Sequence, residues 1–277
     1  MTLRRVLSLL CLGLCAGALV GCGGDTFAFD PVAKAAGKTV DSTSSRVEFT
    51  ATMTAGNVGT MSFRGRGLFD GRSKSGWMNM TFSMPPAAQA QLGGANPTME
   101  MIFDGRHGFV VYMRSSMFQG LSGDRWIKMD LKKLADKAGV DLGALMNANQ
   151  ADPSQTLRML MASSGSRVVN YDRVRGVLTT HYALSVDLKR LAKDNKDLRQ
   201  TLDKVIELTG VDSYPAEAWI DSQGRVRRIK VDMSMGGQFG APVTMTMTED
   251  LYDFGVRANI APPPESEVVD MSKFLGG

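Results

Sequence analysis

The spacing of apolar and polar residues divides the chain into zones. Behind Arg4 and Arg5, an apolar run extends from Val6 to Val20 and closes in Leu19-Val20-Gly21-Cys22. Small and flexible residues follow to Phe29. Asp30-Pro31 then reads as a helix cap followed by proline at the first helical position, and Val32, Ala36 and Val40 recur every fourth residue, which predicts a helix to about Asp41. From Ser45 the period drops to two. Val47, Phe49, Ala51 and Met53 alternate with polar residues, Met61, Phe63 and Phe69 continue the pattern, and Met78, Met80, Phe82 and Met84 form a third strand ended by Pro85-Pro86. Gly65 and Gly67 predict a bulge or sharp bend, and Ala87 to Pro97 a loop. Thr98 to Phe103 and Gly108 to Met113 flank the hairpin signal Asp104-Gly105, and Trp126 to Asp130 makes a short strand.

The middle of the chain turns helical. Leu131, Leu134, Ala138 and Leu142 keep helical spacing, and Asp152-Pro153 repeats the cap-and-proline signature ahead of Leu157, Leu160 and Met161. Ser163-Ser164-Gly165-Ser166 reads as a helix terminus and turn. Strands return at Arg167 to Tyr171 and Val177 to Leu188, where Leu178, Tyr182, Leu184, Val186 and Leu188 share a face. Leu191, Leu198, Leu202, Val205 and Ile206 predict a further helix, closed by Gly210. Ala216 to Asp221, Val226 to Met235 and Val243 to Thr248 form a closing meander, followed by Pro262-Pro263-Pro264 and a short tail from Val268 to Leu275. About ten strands on short turns with three or four helices predict an α+β fold, a curved antiparallel sheet with helices on one side.

The leader changes the picture of location. A charged start, a short apolar middle and a small residue before a cysteine form an export signal that resembles a bacterial lipobox. It predicts three segments: a lipoprotein signal peptide (1–21), a flexible tether (22–29) and a single domain (30–277). Cys22 then becomes the first mature residue, carrying palmitate-type acyl chains and holding the protein on the extracytoplasmic face of the cell membrane. Arg4 and Arg5 leave with the leader, so the mature chain is close to neutral, which argues against a nucleic-acid partner. Cys11 and Cys15 leave too, so no thiol pair remains to staple the fold.

Methionine is the second compositional signal. Of 19 methionines only Met1 lies in the leader. Five pairs have the spacing Met-x-Met: Met78/Met80, Met99/Met101, Met159/Met161, Met233/Met235 and Met245/Met247. On a strand such residues point to one face and make a soft, adaptable apolar surface. Core filling, a lipid-contacting wall and copper(I) binding through thioethers all fit this pattern.

The chemistry of enzymes is thinly represented. His107 and His181 are the only histidines, and neither has a His or Cys neighbour at ligand spacing, so no metal site is predicted. His181 reads as a surface or cross-strand residue facing away from Tyr182. Gly-x-Ser-x-Gly, a Walker lysine and a dinucleotide fingerprint are missing from the mature sequence, and Asp130, Asp187 and Asp221 fall at strand ends, where turn formation explains them. The expectation is a non-enzyme without cofactor. A buried carboxylate beside His181 would reopen the question.

The order of elements resembles the LppX/LprAFG-like lipoproteins of the LolA/LolB-like superfamily, notably uncharacterised actinobacterial lipoproteins. The resemblance lies in Asp124-Arg125-Trp126-Ile127-Lys128-Met129-Asp130, in Thr180-His181-Tyr182 leading to Val186-Asp187-Leu188, in Pro215-Ala216-Glu217-Ala218-Trp219-Ile220-Asp221 with its turn to Arg227-Arg228, and in Pro262-Pro263-Pro264. It implies a half-barrel with helices over its concave face and an apolar cavity between the layers, suited to acyl chains of a lipid or lipid-modified ligand. The candidate lining residues are Phe49, Met53, Met78, Met80, Phe82, Met99, Met101, Met245 and Met247. Period alone leaves open which of them face the helices. An envelope sensor or interaction module with no transported ligand is the other function this scaffold would serve. The sequence names no protein partner.

Overall fold

The computed structural model describes residues 30–40, 44–56, 59–91, 94–106, 110–133, 153–194, 199, 202–203, 206–207, 210–235 and 243–271. The leader, Cys22, the tether, His107 and the predicted helix beyond residue 133 lie outside these residues. Twelve strands form one sheet: β1 (Ser44–Ala55), β2 (Gly59–Asp70), β3 (Ser75–Ser83), β4 (Thr98–Asp104), β5 (Val110–Ser115), β6 (Trp126–Asp130), β7 (Ser163–Val174), β8 (Val177–Asp187), β9 (Ser213–Asp221), β10 (Val226–Met235), β11 (Val243–Tyr252) and β12 (Val268–Asp270). Their order is β12-β6-β5-β4-β3-β2-β1-β11-β10-β9-β8-β7, a curved sheet left open at both ends. All pairs are antiparallel except β12 beside β6, which is parallel. The count exceeds the expected ten in part because the tail forms this twelfth strand. Helices α1 (Pro31–Val40), α2 (Pro86–Gln91), α3 (Gln119–Ser122), α4 (Pro153–Met161) and α5 (Leu188–Asp194) accompany the sheet, with two short 3-10 helices at Ser116–Phe118 and Glu265–Glu267.

Helix α1 forms where its cap predicts. Asp30 Oδ1 accepts the amides of Val32 and Ala33 at 2.9 and 3.2 Å, satisfying donors that the first turn leaves orphaned. The same carboxylate accepts the Ser163 hydroxyl at 3.3 Å and the Ser166 amide at 3.4 Å, tying the helix start to β7. At the other end Thr39 Oγ1 accepts the Val226 amide at 2.9 Å and Lys38 Nζ donates to the Gln223 carbonyl at 2.6 Å. The helix is thus strapped to β7 and to the β9–β10 turn. It buries Val32, Ala35 and Ala36 in a cluster with Leu157 and Leu160 of α4 and with Leu184, Val186, Ala216, Ala218, Ile229 and Val231 of the sheet.

Four local expectations are corrected. Ser163–Ser166 begins β7 rather than ending a helix, because Ser163 and Ser164 pair with Val186 and Ser185, and the slip before Arg167 absorbs Gly165. Residues 87–91, expected as the start of a loop, belong to α2, since Pro86 fits the first helical position and Pro85 supplies its carbonyl to the amides of Ala88 and Gln89. Gly65 and Gly67 mark no bulge, because β2 pairs with β1 and β3 without a slip. A Cβ at Gly65 would come 2.1 Å from the Phe49 ring directly opposite, and one at Gly67 2.5 Å from the Trp77 carbonyl, so these positions make room. Leu188 leaves the strand face, because Asp187 caps α5 by accepting the Arg190 amide at 3.0 Å.

Candidate functional site: a methionine-rich sheet face

Residues directly opposite one another on paired strands project to the same side, so the registers sort every strand residue. The side on which α1 and α4 pack is the inner face. All nine lining candidates fall on it. Met53 stands opposite both Met245 and Met61, and Met247 opposite Ala51. Phe82 stands opposite Phe63, and Met80 and Met78 face Gly65 and Gly67 on one side and Met99 and Met101 on the other. Met113 extends the row from Met101, and Met233 extends it from Met245. Sequence reasoning left out Met61, Met113 and Met233, because their place on this face follows from the strand registers.

Two packing regimes share this face. Over β8 to β11 the helices close an aliphatic core, in which Ile229 and Val226 are fully buried and Val186 and Leu251 nearly so. Over β1 to β6 a separate cluster centres on Val47, Met78, Met101, Phe103 and Val111, with Phe49, Met80, Met99, Met113 and Met129 only half-buried around it. Among the described residues, Leu131 alone reaches that cluster from outside the sheet. Phe82 lies edge-on to Phe63 with ring centroids 5.5 Å apart, and Met53, Met245 and Met247 are likewise half-buried. Of the nine candidates, only Met78 and Met101 are closed from solvent. At the junction of the two regimes Glu249 places a buried carboxylate on the inner face, opposite Phe49 and Ile229. The period of two that runs through Met245 and Met247 puts Glu249 on this face and Asp250 on the other, a signal that the sequence reading did not use.

The outer face is polar. Arg228 donates to Asp250 at 2.6 and 2.9 Å, and Arg175, held at φ 49° in the β7–β8 turn, reaches the same carboxylate at 3.1 Å and stacks over the Tyr252 ring. His181 lies here, opposite to Tyr182 as expected, and is buried against Trp219 with the rings stacked 4.1 Å apart. Its Nε2 meets Glu217 at 2.6 Å and its Nδ1 meets Asn170 at 3.2 Å. A carboxylate does stand beside His181, therefore. It is half-exposed, it also accepts Lys230 Nζ at 3.1 Å, and it lies on the face opposite the methionines. Cross-strand pairing accounts for this geometry.

Asp221 ends β9 as a turn former. Its Oδ1 accepts the amides of Gln223 and Arg225 at 2.9 and 3.0 Å, while Arg225 and Arg227 reach Oδ2. Burial pushes this carboxyl up, but the hydrogen bonds from Arg225 and Arg227 outweigh it and hold it below the ordinary carboxylate range. Burial raises the Tyr214 phenol, whose hydroxyl donates to Met159 Sδ at 3.1 Å. Among the described residues no cluster of three His, Cys, Asp or Glu side chains could hold a metal, and no helix is long and apolar enough to cross a membrane.

An open, curved α+β sheet with an apolar inner face and a charged outer one defines the class of fold. No family model matches the chain. It is similar to an uncharacterized 31.2 kDa protein from the rplA-rplJ intergenic region of Streptomyces griseus, 26% identical over 245 residues that span 86% of this chain and 77% of that one. Among solved structures it is similar to LprF from Mycobacterium bovis, with TM-score 0.46 and 12% identity over 84% of this chain and 95% of that one. LppX from Mycobacterium tuberculosis aligns with TM-score 0.37 and 11% identity over 83% of this chain and 96% of that one. A LolA superfamily protein from Nitrosomonas europaea aligns with TM-score 0.28 and 8% identity, covering 85% and 94% respectively.

Proposed function

We propose that this protein is an extracytoplasmic lipoprotein, anchored in the cell membrane through acylated Cys22, that holds acyl chains of a lipid or lipid-modified ligand against its methionine-rich inner face. One observation carries the reading: nine apolar residues from four strands converge on one face, and seven of them stay half-buried, unlike the aliphatic residues that α1 and α4 cover. Thioether side chains adapt to a flexible chain better than branched ones, because they are unbranched and polarizable. Each buried methylene contributes about 0.8 kcal/mol, so a chain of ten supplies roughly 8 kcal/mol before the costs of ordering it. No bond is made or broken in this role.

The test is native mass spectrometry of the full chain purified from its own membrane, with extraction of bound lipid. A stoichiometric lipid is expected. Repeated recovery of empty protein, with no uptake from liposomes, overturns the reading. The anchor is tested separately by Cys22→Ala, which is expected to release a folded domain from the membrane fraction, since stable attachment needs more than one acyl chain. Retention of that variant in membranes contradicts the anchor.

A further inference from the structure

Edge strand β7 and its hairpin partner carry an apolar surface that the proposed cargo role leaves unused. Val168 is 52% exposed, Val169 45%, Tyr171 72% and Leu178 57%. These values are high for large apolar side chains gathered on one hairpin, and such a cluster marks an interaction surface. Val168 and Tyr171 stand opposite Tyr182 and Thr180, on the side of the sheet that leads inward. Along β8 the stripe Leu178, Tyr182, Leu184 and Val186 passes from exposed at the tip to buried in the core. Arg167 and Arg173 flank the apolar residues and are exposed, with Asp172 as the one exposed acid between them.

We infer that this hairpin edge docks on the surface of an anionic lipid bilayer. The inference rests on the anchor reading for Cys22. Seven residues separate Cys22 from Asp30, and the eight backbone steps between them reach at most about 29 Å when fully extended. Asp30 is bonded to Ser163 and Ser166, so the tether meets the domain at the first residues of β7, two to five positions before Val168. Membrane attachment therefore delivers this strand, rather than the far edge at β12, to the lipid surface. A tyrosine among aliphatic residues suits the boundary between headgroups and hydrocarbon, and the flanking arginines suit anionic headgroups. Strand addition by a second copy is the competing occupant. Two register shifts, at Ser164/Arg167 and at Val168/Asn170, interrupt the ladder of β7 and spoil its edge as a template for pairing.

The test exploits the cysteine count, because the acylated mature chain offers no free thiol. The full chain is prepared with Tyr171→Cys, Leu178→Cys or, near the opposite edge of the sheet, Asp124→Cys, labelled with an environment-sensitive fluorophore and bound to vesicles of phosphatidylcholine and phosphatidylglycerol. Labels at 171 and 178 are expected to be shielded from iodide several-fold more than the label at 124 and quenched by spin-labelled lipid, with weaker protection on phosphatidylcholine alone. Equal iodide quenching at all three sites overturns the docking surface while leaving the anchor intact. Self-quenching between labels at 171 without quenching by lipid assigns the edge to a second copy and also overturns it. Labelling of Cys22 in the unsubstituted chain, or failure of that chain to sediment with vesicles, removes the anchor and the docking surface together.

Discussion

The two halves of the inner face bury apolar surface in different ways. Over β8 to β11, α1 and α4 lie directly on the sheet, and the buried residues are mostly small or branched: Ala216, Ala218, Val226, Ile229 and Val231. Such side chains have few rotamers and lock into one arrangement. Over β1 to β5, methionines and phenylalanines lie across the strands from glycines, with Phe49 packed over Gly65 and Phe69 over Gly76. Long, flexible side chains opposite empty positions make a surface that can rearrange. One continuous sheet thus combines a stiff half, strapped at Asp30 and Thr39, with a plastic half.

This contrast predicts unequal responses to substitution. Ile229→Ala, at a fully buried site, is expected to cost about 4 kcal/mol in urea unfolding, and Met80→Ala less than half as much. Equal losses would erase the distinction between the halves. Asp221→Ala strands Arg225 and Arg227 beside an empty pocket and is expected to cost about 3 kcal/mol. Gly65→Ala pushes a Cβ into the Phe49 ring and is expected to cost about 2 kcal/mol, largely recovered when Phe49→Leu is added. Non-additivity in that pair, measured by a double-mutant cycle, locates the strain in the plastic half.

Acid should act on the stiff half. The carboxyls of Asp221 and Asp232 are held below their ordinary range: burial opposes this in both, and hydrogen bonds from Arg225 and Arg227, or from Thr246 and Lys230, prevail. A depressed carboxyl contributes stability that is fully present above the ordinary value of about 4 and is lost as pH falls through the folded value. Amides of β9 and β10 are therefore expected to lose hydrogen-exchange protection below about pH 4, and unchanged protection there would refute the assignment. The smallest effect is Met80→Leu, expected to change stability by less than about 1.5 kcal/mol.

Much of this arrangement was legible from spacing. The Met-x-Met pairs in strands had to share a face, and Asp30-Pro31 had to start a helix. Which strands stand together was not legible, because Met53 meets Met245 across a register that only the folded sheet sets. Long-range ties were equally hidden: the bond from Asp30 to Ser163 spans 133 positions, and the pairing of Ser163 and Ser164 with Val186 and Ser185 made a strand of an expected helix end. The β7 patch escaped because burial at one end of a strand and exposure at the other depend on long-range packing that α1 and α4 supply.

The measurement that tests the central claim most directly is photo-crosslinking with a diazirine placed along an acyl chain, followed by peptide mapping on the full chain. Adducts are expected on β1 to β5 and β11, at residues such as Phe49, Met80, Met99 and Met245. Adducts confined to the aliphatic half around Ile229 and Val231, or to the outer face around His181, would contradict the account.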